Sequence, residues 1–336
     1  MKKANIILPI FLIISFVSGF FMPSECVASS SSAGTATAQF LKITSGARAM
    51  AMGEAFAAAA DDAFAMDWNP ASVTNIRYRS ISLMHSMYLA DTSISYFAYG
   101  ENTGDMGAWG AAAKYMSYGT LEGTDMSGLD TGSFSPYDLM LSIAFSCYIT
   151  GFNKNPDERF IMGAAGKFIS SKISDSDNTI SADMGILSPW FFGKHVRLAF
   201  SGQNLIGSMR FDKEKNDLPM ILRLGTITRL NKYMLITADY ISYSDYDPVI
   251  AAGGEITIEP SADFSLAFRA GMNTRNKDES VKGSGNLSMG GGIKFNDIYS
   301  FDYAFTPFGD LGDVHRFSLS INFKKPVVIK KRRRGT

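Results

Sequence analysis

The sequence predicts an all-β protein, a transmembrane antiparallel β-barrel of about 14 strands with a short helical plug segment before it. Three observations predict this fold. Many segments alternate strictly between apolar and polar residues, which is the period of a strand with two different faces. The connections between them tend to alternate between short and long, as in outer-membrane barrels. One Ala- and Met-rich stretch precedes all of these segments and favours helix.

The chain begins with a predicted secretory signal. Lys2 and Lys3 form a basic start, residues 6–22 are almost wholly apolar, and the small residue Ala28 stands at the expected cleavage point. A membrane anchor is the alternative, but the apolar run is short and is interrupted by Pro and Gly. The sequence therefore predicts these divisions: signal peptide 1–28, flexible N-terminus 29–37, helical plug 38–76, barrel 77–323 and basic tail 324–336.

Charge and cysteine content limit the partners. The chain has 32 basic and 32 acidic residues and a formal net charge of zero, so no nucleic acid or other polyanion is predicted to bind its body. Cys26 would leave with the signal, and Cys147 would then have no intrachain disulfide partner. The tail carries densely spaced Lys and Arg, which favours a solvated extension. Its alternative is a contact with anionic lipid or cell-wall polymer.

The plug segment 38–76 contains few β-branched residues, so it favours helix over strand. Asn69 followed by Pro70 predicts the start of a short helix, with Asn as the cap and Pro in the first helical position. The segment also has an apolar set that is compatible with packing inside a barrel. This set is Phe40, Leu41, Met50, Met52, Phe56, Phe64 and Met66.

The strand signal begins near Arg79. In the clearest case Phe264, Leu266 and Phe268 alternate with Ser265, Ala267 and Arg269. The predicted strands are 79–88, 92–101, 106–118, 134–149, 159–172, 178–190, 194–205, 218–230, 232–244, 248–259, 262–273, 284–295, 298–307 and 313–323. Most reach the roughly 9–11 residues that a tilted membrane strand needs. An even number of strands also suits a bacterial outer-membrane barrel.

The connections test this topology. If the N-terminus lies in the periplasm, every second connection is a periplasmic turn. These turns are predicted at 101–105, 151–158, near 193, 231, 259–261 and 296–297. The longer external loops are predicted at 119–133, 206–217 and 274–284, whereas the first external connection, near Leu89, is short. The pattern favours an outer-membrane barrel over a soluble β-sandwich.

The two faces of these strands predict what each one contacts. The apolar face is expected to contact outer-membrane lipid. The other face collects charges, which must point into the lumen because an Arg or Lys in the hydrocarbon costs about 2–4 kcal/mol at the midplane. The predicted lumen charges are Lys114, Asp138, Lys167, Asp183, Arg197, Arg223, Asp239, Glu255, Arg269, Lys294, Asp302 and Arg316. We interpret them as an ion-pair network in a filled lumen. The alternative is a pathway for a polar or amphipathic ligand.

Catalytic and cofactor signals are missing from the sequence. The three histidines, His85, His195 and His315, stand far apart and in no metal-ligand spacing. There is no nucleophile elbow, phosphate loop or dinucleotide fingerprint. The acidic pair Asp61-Asp62 is better interpreted as a plug contact than as a general acid and base. The sequence therefore predicts no enzyme, no metal and no cofactor.

The plug segment carries the residues of a family resemblance. The pieces Phe40-Leu41-Lys42, Gly46-Ala47-Arg48-Ala49, Met52-Gly53-Glu54-Ala55-Phe56, Asp61-Asp62-Ala63 and Trp68-Asn69-Pro70-Ala71 follow one another closely. This run resembles the N-terminal signature of the PorV/PorQ family of outer-membrane barrels, which is similar to FadL-type transporters. The residues of the resemblance taken as the plug motif are Phe40, Leu41, Gly46, Arg48, Met52, Gly53, Ala55, Phe56, Asp61, Asp62, Asn69, Pro70 and Ala71.

The resemblance implies two functions. The first is a component of type IX-like protein secretion, or of outer-membrane structure or translocation, with secretion-machinery or cargo proteins as partners. The second is FadL-like uptake of hydrophobic small molecules such as fatty acids and hydrocarbons. A continuous apolar cavity leading to a gap in the wall favours uptake. A lumen closed by residues 57–60 and by ion pairs favours secretion or structure. The basic tail after Phe323 departs from the family pattern.

Overall fold

The structure is a computed structural model that describes residues 35–89, 91–125, 127–149, 155–173, 176–211, 214–275, 286–309 and 312–324. The predicted signal 1–28, residues 29–34 and the tail after Lys324 lie outside these residues. The described strands are β1 (Arg79–Met87), β2 (Ser93–Asn102), β3 (Ala108–Ser117), β4 (Leu121–Thr124), β5 (Asp130–Phe134), β6 (Tyr137–Tyr148), β7 (Ile161–Lys172), β8 (Ser176–Leu187), β9 (Val196–Gln203), β10 (Ser208–Phe211), β11 (Glu214–Asp217), β12 (Ile221–Arg229), β13 (Met234–Tyr243), β14 (Val249–Ser261), β15 (Phe264–Asn273), β16 (Leu287–Phe295), β17 (Tyr299–Pro307) and β18 (Asp313–Phe323).

The predicted barrel is confirmed. Fourteen of the described strands form one closed antiparallel barrel, in which chain neighbours pair and β18 returns to β1. The closing pair runs without interruption from Arg79 opposite Phe323 to Met87 opposite His315. A closed barrel pairs the backbone donors and acceptors of all its strands, which is what hydrocarbon surroundings require.

Two predicted loops contain secondary structure. β4 pairs with β5 inside the predicted loop 119–133 and its flank, and β10 pairs with β11 inside 206–217. Both hairpins are separate two-stranded sheets outside the barrel order. The strands of these hairpins are only four or five residues long. In the β4–β5 hairpin, Gly123 lies opposite Gly132. Such short segments show too little alternation to be predicted from periodicity.

The barrel has two distinct ends. We call the end with the β1–β2, β3–β6, β7–β8, β9–β12, β13–β14, β15–β16 and β17–β18 connections the loop end, and the other the turn end. The hairpins lie at the loop end, and the turn end includes the tight connections 262–263 and 296–298. The alternation in length is partial, because 88–92 and 244–248 at the loop end are short and the turn-end connection 149–160 is long.

The plug is less helical than predicted. It contains one five-residue α-helix, α1 (Ala47–Ala51), and three 3-10 helices, η1 (Gln39–Lys42), η2 (Ala63–Asp67) and η3 (Pro70–Asn75). A further 3-10 helix, η4 (Pro156–Glu158), lies in a turn-end connection. α1 ends because Gly53 and Glu54 adopt left-handed φ angles of 66° and 71°. No helix among the described residues has the length and hydropathy to cross a membrane.

The predicted start of η3 is present. The Asn69 side chain accepts a hydrogen bond from Ala71 N at 3.0 Å, and Pro70 occupies the first helical turn. This is the cap-then-proline arrangement that satisfies a free helix N–H and pre-sets φ. The helix is of the 3-10 type and ends at Asn75, directly before the chain becomes extended toward β1.

The plug passes through the barrel from one end to the other. Thr37 N donates to Asp217 O at the loop end, and Gln39 and Lys42 both contact the Asp245 carboxylate there. The chain then runs to the turn end, where η3 ends at Asn75. The described start of the plug therefore lies at the loop end. The flexibility predicted for 29–37 stays a prediction, since residues 29–34 lie outside the described part of the chain.

Candidate functional site

The plug backbone contacts the wall at positions where the wall residue is glycine and therefore has no side chain. The backbone of Met52 and Gly53 lies against β14 and β15, where a Cβ on Gly253 would stand 2.4 Å from Met52 O. A Cβ on Gly271 would stand 2.0 Å from Gly53 N. Real Cβ atoms do not approach backbone atoms this closely, so only glycine allows the contact. Gly253 and Gly271 therefore make room for the plug backbone.

An ion-pair chain ties the middle of the plug to the wall. Arg48 donates from Nε and Nη2 to the two Glu255 oxygens at 2.7 and 2.9 Å, and its Nη1 donates to Asp61 at 2.7 Å. Arg269 binds the same Glu255 at 2.6 Å and also Asp302 at 2.7 Å. Arg269, Glu255 and Asp302 are buried. The network joins Arg48 and Asp61 of the plug to the wall strands β14, β15 and β17, and it supports the interpretation of a filled lumen.

A second buried pair involves an acidic residue outside the predicted set. Lys114 on β3 donates from Nζ to Asp67 and to Ile43 O, both in the plug, at 2.8 and 2.9 Å. Lys114 is 1% and Asp67 is 7% exposed. Asp67 Oδ2 also accepts from Ser45 N at 2.8 Å. One wall lysine and one plug carboxylate therefore hold two plug segments together.

The remaining predicted lumen charges bind the plug or nearby wall groups. Asp239 accepts from Phe56 N and Ala57 N, Arg316 donates to Thr44 O, and Arg223 donates weakly to Glu54 O at 3.4 Å. Lys167 pairs with Asp183, Asp138 accepts from Tyr118, and Arg197 donates to Ser188 O and to Asn75. Lys294 differs from the others because it is exposed at the turn end.

The predicted plug motif forms the centre of the lumen, with its acidic pair at the turn end. Its buried members are Phe40, Leu41, Gly46, Met52, Gly53, Ala55, Phe56, Asn69, Pro70 and Ala71. Arg48 and Asp62 are half-buried, and Asp61 is exposed. Asp61 binds Arg48 within the plug, whereas Asp62 accepts from Ser320 of β18. The motif is thus a packing and ion-pairing unit, and its functional role stays a proposal.

Three groups of this site were missed by the sequence prediction. Besides Asp67, they are Asn75, which binds Arg197, and Arg275, which binds both Glu54 oxygens and Tyr243 Oη. Arg275 lies two residues after the end of β15, in a stretch predicted to be an external loop. Neither periodicity nor the number of charges predicts this ion pair, because Glu54 is 221 residues away from Arg275 in the chain.

Two plug carboxyls have shifted pKa values in opposite directions. Burial opposes the ionisation of Glu54, but Arg275, together with the charges of Arg223 and Arg316, outweighs burial and lowers the pKa of Glu54. Burial, together with the charge of Asp61, raises the pKa of Asp62 to about 6, and Arg48 only partly opposes this. The difference follows from the neighbours, since Glu54 faces a guanidinium and Asp62 has an acidic neighbour in the chain.

Plug backbone and side chains close the lumen. Ala57, Ala58, Ala59 and Ala60 are at most 6% exposed. Asn69 lies next to them, and its Nδ2 is within 3.4 Å of Ala57 O and of two wall carbonyls. The described residues thus meet the condition that the sequence set for a closed lumen.

The wall is also closed at two places where an opening would be expected: between β8 and β9, and behind a depression outside β1 and β2. β8 pairs with β9 only from Met184 to Leu187. Above this, Leu205 N donates to Ala182 O, and a Cβ on Gly207 would stand 2.5 Å from Ile180 O, so backbone fills the position of the missing ladder. A depression of about 490 Å³ lies outside β1 and β2, whose ladder is continuous.

Comparison with known proteins identifies the family. A family model described as type IX secretion system protein PorV matches residues 27–237, more than half of the chain. The chain belongs to this family. The PorV-family plug, from Phe40 to Asn75, lies wholly within the matched region, as do the wall strands through β12. Comparison with curated proteins gives no significant match.

Solved structures share the fold of this PorV-family barrel. The Pseudomonas putida toluene transporter TodX superposes with a TM-score of 0.55 at 12% identity, over 83% of this chain and 98% of TodX. A Pseudomonas aeruginosa FadL homologue gives 0.53 at 11%, over 84% and 99%. The Ralstonia pickettii toluene transporter TbuX gives 0.50 at 14%, over 84% and 99%. These similarities show the FadL-like barrel fold, and with the family they place the protein in the outer membrane.

Proposed function

We propose that this PorV-family protein acts in type IX secretion as a closed outer-membrane barrel, with secretion-machinery or cargo proteins as its partners. The observation that carries this is the filled lumen. The plug is fixed to the wall by ion pairs on β3 and β14, and glycine contacts on β14 and β15 leave no space between the two backbones. A protein with this lumen offers its surface and loops to partners, and has no need of a catalytic centre.

The test has two parts. The purified protein, inserted into planar bilayers, is expected to show no stable conductance. In the host, loss of the gene is expected to stop release or surface attachment of type IX cargo, and affinity capture of the barrel from detergent extracts should recover secretion-machinery proteins. Normal cargo export in the deletion strain would overturn the proposal.

Uptake of a hydrophobic small molecule is the second candidate. The similar structures include toluene transporters and a FadL homologue, and the plug contains buried Phe40, Phe56 and Phe64. Proteoliposomes with and without the protein should be compared for entry of labelled toluene and of a labelled fatty acid. The closed wall and lumen predict equal rates, and faster entry with the protein would favour this second function.

Export by a cleaved signal is part of the proposal. The basic start, the apolar run 6–22 and Ala28 support cleavage after Ala28. The intact mass of the protein from outer membranes is expected to correspond to a chain that begins at Ser29. A mass that includes residues 1–28 would show that the segment is retained.

A further inference from the structure

The turn end carries a cavity whose lining has more cations than carboxylates. A recess of about 340 Å³ opens there between the plug and the ends of the strands. Its lining includes Arg48, Arg77, Arg79, Arg197, Arg229 and Lys294. The carboxylates of the same lining are Asp61, Asp157 and Asp297. Cations therefore outnumber anions in the lining of this recess, although the whole chain is neutral.

The lining carboxylates are already engaged. Asp61 pairs with Arg48 at 2.7 Å and Asp157 with Lys194 at 2.5 Å. Asp297 lies 3.8 Å from Arg77. Another lining cation, Arg79, pairs with a carboxylate outside the recess, Glu101, at 2.8 Å. Each described carboxylate of the lining is therefore already in contact with a cation other than Arg197, Arg229 or Lys294.

Three cations of the recess have no carboxylate within 4 Å among the described residues: Arg197, Arg229 and Lys294. Arg197 is only 5% exposed, and its Nε and Nη1 donate to the neutral acceptors Ser188 O and Asn75 Oδ1. A buried guanidinium without a counter-ion is costly, so an anion that enters the recess gains more than it would at an open surface.

Trp190 positions the two guanidinium groups. Their carbon atoms lie 5.0 Å (Arg197) and 4.1 Å (Arg229) from the centroid of the Trp190 ring. One aromatic ring therefore holds two like charges in the same neighbourhood. Guanidinium groups present a planar fork of donors that matches carboxylate and phosphate oxygens. The arrangement favours an anion with several oxygen atoms over a simple halide.

We propose that this recess, built around Arg197, Arg229 and Trp190, binds a small multivalent oxyanion of phosphate or carboxylate chemistry at the turn end of the barrel. The site lies at the turn-end mouth of the closed lumen, where the plug residues Arg48, Ala58 and Ala59 form part of its lining, and it does not depend on the secretion role. A ligand would reach the recess from the aqueous side at the turn end, since the exposed apolar side chains of the strands face lipid.

The test uses the full chain in detergent, with pyrophosphate and citrate as probes in separate titrations at constant ionic strength. Arg229→Gln removes one recess cation. Lys232→Gln is the matched control, because Lys232 is an exposed cation at the same end, beside Tyr233 and Glu259 and outside the recess lining. Loss of a charge-assisted hydrogen bond is expected to weaken binding by about tenfold or more in Arg229→Gln and not in the control.

A third variant distinguishes fork geometry from charge alone. Arg197→Lys keeps the charge but loses the planar fork, and it is expected to weaken binding as well. The gel shift between unboiled and boiled protein shows that each variant is folded. Pyrophosphate binding without citrate binding would assign phosphate chemistry, and the reverse would assign carboxylate chemistry. Equal binding by wild type and Arg229→Gln, or no binding of either probe, would overturn the proposal.

Discussion

Arg48 of the plug and Glu255 of the wall form a two-point ion pair, with N–O distances of 2.7 and 2.9 Å. Glu255 is at the same time bound by Arg269 of the neighbouring strand. The carboxylate thus lies between two guanidinium groups and fixes the plug relative to the barrel. Each guanidinium keeps a second carboxylate, Asp61 for Arg48 and Asp302 for Arg269.

The first prediction concerns this pair. Glu255→Gln removes the shared charge and is expected to lower the free energy of unfolding by about 3 kcal/mol, the lower end for a broken buried pair because each Arg keeps one partner. Asp61→Asn is the control, since Asp61 also binds Arg48 but its side chain is 54% exposed. That control should cost less than about 1 kcal/mol. Urea unfolding followed by gel mobility measures both, and equal costs would contradict the ranking.

The second prediction concerns the plug–wall contact. Gly253→Ala puts a methyl group 2.4 Å from Met52 O, whereas Gly254→Ala puts one 4.0 Å from the nearest contact, Leu235 O. We expect Gly253→Ala to lower the free energy of unfolding by about 1–3 kcal/mol, as for an overpacked core, and Gly254→Ala to have little effect. The same urea assay applies. If neither substitution changes the free energy of unfolding, the plug backbone does not pack against β14.

The third prediction concerns conductance. Deletion of residues 40–68 removes most of the material that fills the barrel and is expected to produce a conducting pore in planar bilayers. Gly253→Leu in the full-length chain is a second variant, because it displaces the plug without shortening the chain. The gel shift must first show that each variant is a folded barrel. Folded variants that stay silent in the bilayer would place the plug outside the conduction path.

The fourth prediction concerns pH. The pKa of Asp62 is raised to about 6 by burial and by Asp61, against the opposing charge of Arg48. A carboxyl with a raised pKa in the folded state stabilises the fold while it is protonated. Its contribution is present below its ordinary pKa of about 4 and is lost as the pH rises through about 6. Stability should therefore fall over this window.

Asp62→Asn should flatten that fall and make the barrel relatively more stable at pH 7–8 (about one pH unit or more above the shifted pKa). Asp61→Asn should reduce the fall partially, because it removes the neighbouring charge. The measurement is the urea midpoint at a series of pH values. An unchanged profile in Asp62→Asn would show that another group titrates in this window.

The fifth prediction concerns the cap of η3. Asn69→Ala removes the acceptor for Ala71 N and the amide that lies near Ala57 O, Ile186 O and Phe200 O. We expect a loss of about 1–2 kcal/mol. Asn69→Asp keeps the acceptor but faces these carbonyls with a carboxylate, so it should be at least as destabilising. If Asn69→Asp behaves like wild type, only the capping function matters.

The strands were predictable from the sequence because their signal is local. Every second residue between Phe264 and Ala270 faces lipid, and this pattern needs no knowledge of the partner strands. The cap at Asn69 was predictable for the same reason, because capping depends on residues two positions apart. The inward direction of the wall charges also follows locally, since the alternate face is apolar.

The pairing of those charges was not predictable. Lys114 binds Asp67, Glu54 binds Arg275, and Asp61 pairs within the plug rather than with the wall. Each partner depends on how the plug is threaded through the barrel, and the described start of the plug lies at the loop end beside Asp217. The alternation of apolar and polar residues along the strands carries no information about the path of the plug through the barrel.

The sequence alone therefore determined the barrel, its strand number, the plug motif and the family resemblance, because alternation and motif spacing are properties of neighbouring residues. Only the tertiary structure decided that the lumen is filled, that the plug is mostly 3-10 and turn, and that Arg197 and Arg229 meet over Trp190. The physical reason is that ion pairs, close backbone contacts and recesses form between residues far apart in the chain, once closure of the barrel has brought them together.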